Sequence, residues 1–413
     1  MSKLAILGGV PINAERPAHM KWPVGGPKER EAILRVLNSG IWGTLGPESK
    51  AFAEEYAQYC RVKHALPVLN GTVSLELALR ALNIGYGDDV IVPPYTFTAS
   101  VTSIAMTGAM PVFADIEPDT FNISAESCER ALTPGTRAVI GVHLGGRPFD
   151  ADALKAFADK HGLFLIEDAA HAHGSEWRGR RTGSLGTAGS FSFQASKNLS
   201  CGEGGCVTTD DTALYEKLWS LHHNGRSFLD GSYDHPYLGT DARLAEWQCA
   251  ILRARMGRVD ADISKRMENA EYLEGQLARF PFFLPMKKDG RVTRNALHLM
   301  PFRYIKAGLN GLPREVFLTA LKAENVCVVD SGYSTPVYDL EFLRTGAFKK
   351  ATGRAFSPPA AEDMVNNERA ARAEGCWMYH SVLLGEKRDM DKIAEAFGRI
   401  AAQADALAGI EEA

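Results

Sequence analysis

No run of apolar residues in this chain is long enough to cross a bilayer, which takes about 20 residues as a helix. Cys-x-x-Cys pairs are absent as well. The seven cysteines (60, 128, 201, 206, 249, 327 and 376) are odd in number and scattered, which fits neither a disulfide framework nor a zinc site and predicts a reducing compartment. Charge is nearly balanced, with a formal net of −4 over 413 residues. There is no basic stripe and no helix-turn-helix signal, so neither nucleic acid nor a membrane surface is expected as a partner. The opening MSKLAILGGVPINAERP has too short an apolar run for a signal peptide, and the reading is a soluble, cytoplasmic protein. Internal repeats and low-complexity tracts are missing too.

What is present is an ordinary globular balance, 45% hydrophobic and 23% charged, at a length that predicts more than one structural unit. Residues 1–30 are rich in Gly and Pro and read as an extended arm. Residues 31–260 read as a large α/β domain, and 261–413 as a smaller α+β domain, with the boundary near 260. Between about 65 and 210, short β-branched runs (DDVIVPPY, RAVIGVHL, LFLIEDAA) alternate with amphipathic stretches such as DADALKAFADKHG. That alternation predicts a mostly parallel sheet covered by helices on both faces. AGSFSF and GGCVTT follow as a strand pair. The long EWQCAILRARMGRVDADISKRMENAEYLEGQLARF predicts one or two helices leading into the second unit, where HLMPFRYI, ENVCVVD and DKIAEAFGRIAAQADAL supply strands and a last helix.

In an open α/β sheet, ligands collect at the carboxyl ends of strands, and three features fall there. NGTVSLELALRAL puts Gly71 and Thr72 at a helix start, where free amides, a hydroxyl and the helix dipole favour an anion. An ordinary Thr cap is the competing reading. IEDAAHAHG puts Asp168 after an apolar strand, where a partly buried carboxylate needs a cation or hydrogen bonds. A capping or ion-paired Asp would look the same. His171 and His173 have HxH spacing without a third ligand at a familiar interval, so no metal is expected. FSFQASKNLSCGEGG puts Lys197 between an apolar run and a glycine-rich turn. It is no P-loop, because the GxxxxGK[ST] order is missing. A solvated lysine competes with a desolvated one able to form a Schiff base. An anion pocket, a carboxylate and an amine are together what pyridoxal 5'-phosphate requires. Phe97, in VPPYTFTAS, is available to cover the ring.

These segments, with SGIWGTLGPESKAFAEEYAQY and the GSEWRGRRTGSLG that continues the Asp168 motif, resemble the DegT/DnrJ/EryC1/StrS family of sugar aminotransferases over nearly the whole chain. The resemblance implies the aspartate-aminotransferase type of fold (fold type I) and a homodimer with shared active sites. It implies that Lys197 holds the cofactor and Asp168 faces the pyridine nitrogen. Phe97 would stack on the ring and His171 would lie near the phenolic oxygen. Gly71, Thr72, Ser192 and Gln194 would serve the phosphate. WMYHSVLLGEKRDMD and the early GGVPI…WP resemble the branch of scyllo-inosose aminotransferases and 3-amino-5-hydroxybenzoate synthases. Trp42, Tyr333 and His380 are the substrate-side candidates, with packing roles as the alternative. Two departures stand out. Asp241 occupies the family's Asn position in GTDARLAEWQ, which leaves Arg243 as another candidate for a cross-subunit phosphate contact. Gly145 occupies an aromatic position in VHLGG, to widen the pocket or for a backbone reason.

The resulting expectation is a ping-pong aminotransferase with glutamine or glutamate as donor and a keto-sugar or keto-cyclitol as acceptor. A sugar dehydratase or 3-amino-5-hydroxybenzoate synthase-like enzyme is one alternative. A non-catalytic sensor on the same fold is the other.

Overall fold

The computed structural model describes residues 2–13, 21–228, 233–326 and 329–409. Residues 14–20 of the expected arm, and Cys327 with Val328 in ENVCVVD, lie outside them.

A seven-stranded sheet organises the first unit. Its strands are His64–Val68 (β1), Asp89–Val92 (β2), Met110–Phe113 (β3), Thr136–Val142 (β4), Phe164–Asp168 (β5), Ala188–Ser192 (β6) and Gly205–Thr209 (β7), in the spatial order β1-β7-β6-β5-β4-β2-β3. Five neighbouring strands run parallel, and β7 runs antiparallel to both of its neighbours. All four residues of β2 are buried, as expected for a strand covered on both faces. Pro93 and Pro94 end it, since neither can donate to a ladder.

The covering helices are Pro27–Ser39 (α1), Pro47–Cys60 (α2), Gly71–Ala81 (α3), Ala99–Met106 (α4), Ala125–Arg130 (α5), Ala151–His161 (α6) and Thr212–His222 (α7). Their starts are set locally. Asp150 caps α6 through Ala153 N at 3.0 Å, and Asp211 caps α7 through two amides, each worth about 1 kcal/mol.

Helix α8, Glu246–Leu277, is a single 32-residue element, so residue 260 falls inside it. Its first half packs on α1 and α2, its second half on the last helix, Lys387–Ala401. Beyond it lies an antiparallel sheet of Phe283–Pro285 (β8), Leu299–Tyr304 (β9), Val329–Asp330 (β10) and Gly375–Tyr379 (β11), ordered β8-β9-β11-β10. Phe282, Phe302, Phe317 and Phe397 fill the core of this second unit together with Leu4 from the arm. Residues 5–7 form a short helical turn there, and the amides of Ala5 and Ile12 are taken by Glu324. The segment holding Val337, Tyr338, Leu343, Phe348 and Met364 returns to the core around β2 and β3.

Candidate active site

Asp168 is the last residue of β5, between β4 and β6. It is 8% exposed. Its Oδ2 accepts from Ser100 Oγ at 2.7 Å, Ser100 is bonded in turn to Thr96 Oγ1, and Oδ1 accepts from Ala170 N at 3.3 Å. Hydroxyl and amide donors thus satisfy both oxygens of the buried carboxylate. The preceding Glu167 points to the other face, as strand alternation requires. There it meets His143 Nε2 at 2.9 Å and accepts from the amides of Gly183, Leu185 and Gly186, a fully paired structural carboxylate.

Lys197 follows β6 on a closed loop. Its amide donates to Gln194 O (2.8 Å), Ala195 N donates to Gly202 O (2.8 Å), and Cys201 N donates to Phe193 O (2.9 Å). Among the described residues, Lys197 Nζ makes no hydrogen bond or ion pair. Burial among protein atoms lowers its pKa to about 8, and the Asp168 charge opposes that shift. The amine opens to the cavity, which leaves the residue half-buried by surface.

Helix α3 supplies the third part. Its cap is Asn70 and not Thr72: Asn70 Oδ1 accepts from Val73 N at 2.9 Å and Asn70 O from Ser74 N at 3.0 Å. The Asn70 side chain thereby satisfies one of the four orphan amides of the first turn, that of Val73, and those of Gly71 and Thr72 remain for an anion. Close approach explains the glycines. A β-carbon on Gly71 would sit 2.8 Å from Ser192 Cβ, and one on Gly205 would sit 2.4 Å from the Asn70 carbonyl. Two motifs more than a hundred residues apart thus meet backbone to backbone.

Gly71, Thr72, Phe97, Asp168, His171, Ser192, Gln194, Lys197 and Tyr333 all line one cavity of about 550 Å³. Phe97 is 57% exposed within it, and covering that face with a flat ring would return about 1 kcal/mol. Gln194 Oε1 already accepts from Ser196 N and Oγ, leaving its NH₂ for a ligand. His171 Nδ1 accepts from Gly145 N at 3.3 Å, which puts the proton on Nε2. Burial, then the Lys197 charge, holds its pKa well below the usual value. The HxH partner His173 is held in the core by Tyr56 Oη and Ser192 O, both at 2.8 Å.

Two candidates lie elsewhere. Trp42 is half exposed, packed against Trp247 with ring centroids 6.0 Å apart. His380 is buried behind the Lys197 loop, its Nε2 2.9 Å from Ser196 O. It follows Tyr379 on β11, and alternation turns Tyr379 to the cavity and His380 away. Sequence reasoning missed Ser100, His298, Trp377, Tyr379 and Glu203. Ser100 stood in VPPYTFTAS, at a helix start after a strand. The others carried no local signal.

Both departures have physical accounts. Asp241 accepts from Arg243 Nε and Nη2, each at 2.7 Å, and the hydrogen bonds of that guanidinium lower its pKa. The carboxylate is paired, and Arg243 lines a different cavity, beside α2 and α7. Gly145 has φ +64°, and a β-carbon there would lie 3.1 Å from Leu299 O. The left-handed backbone accounts for glycine.

Residues 24–370 match the DegT/DnrJ/EryC1/StrS aminotransferase family. The chain belongs to that family. It is an enzyme, an aminotransferase, and the aminotransferases of this family depend on pyridoxal phosphate. The chain is 34% identical over 418 residues to an L-glutamine:2-deoxy-scyllo-inosose aminotransferase of Streptomyces kanamyceticus, covering 97% of each chain. It is 34% identical to the 3-amino-5-hydroxybenzoate synthase of Amycolatopsis mediterranei, over 95% of this chain and 100% of that one. A crystal structure of 3-amino-5-hydroxybenzoic acid synthase superposes with a TM-score of 0.84 at 34% identity, covering 95% of this chain and 100% of that one. S. venezuelae DesV, solved with a ketimine intermediate, superposes at 0.79 and 34% identity, covering 93% and 95%. With these neighbours and a mostly parallel central sheet covered by helices, the chain has the expected fold, that of the pyridoxal-phosphate-dependent transferases of fold type I.

Proposed function

We propose that this family member binds pyridoxal 5'-phosphate at Lys197 and moves an amino group from glutamine or glutamate to a keto-cyclitol or keto-sugar in a ping-pong cycle. The observation that carries this reading is the meeting of three parts in one cavity: the Lys197 amine, the Asp168 carboxylate, and the open α3 start packed on Ser192. When bound, the cofactor supplies an electron sink and a carrier for the amino group. The chain supplies the rest. The amides of Gly71 and Thr72, with Ser192 and Gln194, bind the phosphate. Phe97 would cover one ring face, and the His171 Nε2–H would serve the ring's oxygen. The Asp168 charge holds a proton at the ring nitrogen. Lys197, as a free amine, would take a proton from the donor's α-carbon and deliver it to the cofactor carbon that had carried the carbonyl, work suited to an amine with a pKa of about 8.

Among the described residues, Lys197 is the one lysine or arginine lining the cavity, while Tyr333, Trp377 and Tyr379 form an aromatic wall. That lining favours an uncharged polyol ring as acceptor. Glutamine as donor, and a scyllo-inosose as acceptor, are what the Streptomyces kanamyceticus relative is named for. Half-reactions followed by absorbance test the reading. Glutamine should convert the cofactor to its amino form, and an uncharged keto-cyclitol should restore it. If neither glutamine nor glutamate changes the spectrum of cofactor-loaded protein, the aminotransfer reading fails and a sensor remains.

The same reading includes a homodimer with shared sites. Ile33, Leu34, Leu37, Ile41 and Trp42 form an apolar group around α1, each 41–49% exposed, a patch of the kind that marks a protein interface. Sedimentation equilibrium at micromolar concentration should return twice the chain mass, and a monomer would rule the dimer out.

A further inference from the structure

The Lys197 loop is gripped from outside the cavity. Trp22 Nε1 donates to Lys197 O at 3.1 Å. His380 Nε2 donates to Ser196 O at 2.9 Å, because a carbonyl can only accept. Asn198 Nδ2 donates to Ala296 O at 2.8 Å. Three successive residues are therefore tied to the arm, to the residue that follows β11 and to the segment before β9.

The ties join one another through rings. Trp22 meets His380 edge-on at 4.8 Å, His380 stacks on His298 at 5.3 Å, and His298 lies 4.3 Å from His171. At the far end of this column, the guanidinium carbons of Arg255, Arg258 and Arg266 lie 5.1, 5.9 and 5.7 Å from the centre of the Trp22 ring. Their spacing puts them on one face of α8. Arg266 is fully buried, and none of its three nitrogens has a hydrogen-bond partner among the described residues. Burial lowers its pKa to about 10. The indole face is what the structure offers to that charge. Arg255 and Arg258 also donate to Val24 O, at 3.0 and 3.1 Å, fixing the chain on either side of Pro23.

We propose that Trp22 and His380 are positioning residues for Lys197. The arginine face of α8 holds the indole, the indole N–H holds the lysine's own carbonyl, and His380 holds the carbonyl before it. The main chain then stays still while the amine alone moves between its bound position and the substrate's α-carbon. Small displacements of a reacting group of about 1 Å cost about 100-fold in rate. The inference rests on Lys197 being the reactive amine.

Trp22→Phe tests it, since the ring stays on the arginines and only the N–H is lost. The expected result is a kcat about tenfold lower, with KM for both substrates within about twofold. In cofactor-free protein, amide exchange should accelerate at residues 196–198 and not across the rest of the chain. His380→Ala should behave alike, and His380→Gln, which keeps a donor, should recover most of the loss. An unchanged kcat with unchanged exchange in Trp22→Phe would overturn the proposal. So would exchange accelerated uniformly along the chain, or a Gln variant no better than Ala. If no donor reacts with the wild-type enzyme, the functional reading fails, while the exchange measurement on cofactor-free protein still decides whether these residues hold the loop.

Discussion

Lys197→Ala is expected to lower turnover about 10⁴-fold or more, and to remove the borohydride-trapped adduct that mass spectrometry should find at Lys197 in the wild type. No other described lysine or arginine lines the cavity, so no second amine stands ready to take over. The loss should not come from unfolding, as the sign of the pKa shift shows. Burial lowers the folded amine to about 8 from its ordinary 10.5, so between those values the unfolded chain binds more protons than the folded one. The buried amine is therefore a stability cost that is fully present below pH 8 and relieved as pH rises toward 10.5. Removing it should leave the melting temperature at pH 7 no lower than that of the wild type. A variant that still exchanges amino groups at the native rate would refute the assignment.

Asp168→Asn is expected to lower kcat roughly 10²–10³-fold, the scale of losing one preorganised electrostatic partner. The substitution keeps size and an oxygen for Ser100 Oγ, now 2.7 Å from Oδ2. Under the proposed function, it removes the charge that would keep a proton on the ring nitrogen. Cofactor should still bind, because the α3 amides, Ser192 and the Lys197 attachment are untouched. Equilibrium dialysis with stopped-flow half-reactions separates the two effects. A variant with native half-reaction rates would show that the carboxylate serves packing alone.

How far the site could be read in advance depended on the range of each signal. Asp168 was legible because LFLIED is continuous apolar sequence ending in a carboxylate, and a buried strand has one place for it. Lys197 was legible because FSF and GEGG bracket it, an apolar strand and a turn with a close approach. Gly71 was found at its helix start, but its cap is Asn70, one residue earlier than a Gly-Thr reading suggests. His380 was found as a candidate and its direction was not. The parity of β11 decides that Tyr379 enters the cavity and His380 lies behind the loop. Trp22 stood in the GGVPI…WP segment, but its contact was not legible there, because its partner is a carbonyl 175 positions away.

The sequence by itself determined the alternating α/β unit, and it singled out the lysine, the carboxylate and the helix start that line one cavity. Each follows from local rules of periodicity, capping and burial that act over a few residues. Only the tertiary structure decided that α8 runs unbroken through residue 260, that Ser100 bonds Asp168, that Arg243 neutralises Asp241, and that β9, β11 and the arm close around Lys197. Those outcomes depend on strand order and on which face each strand turns inward. Such choices come from burying the whole apolar surface at once, and no short stretch of the chain contains them.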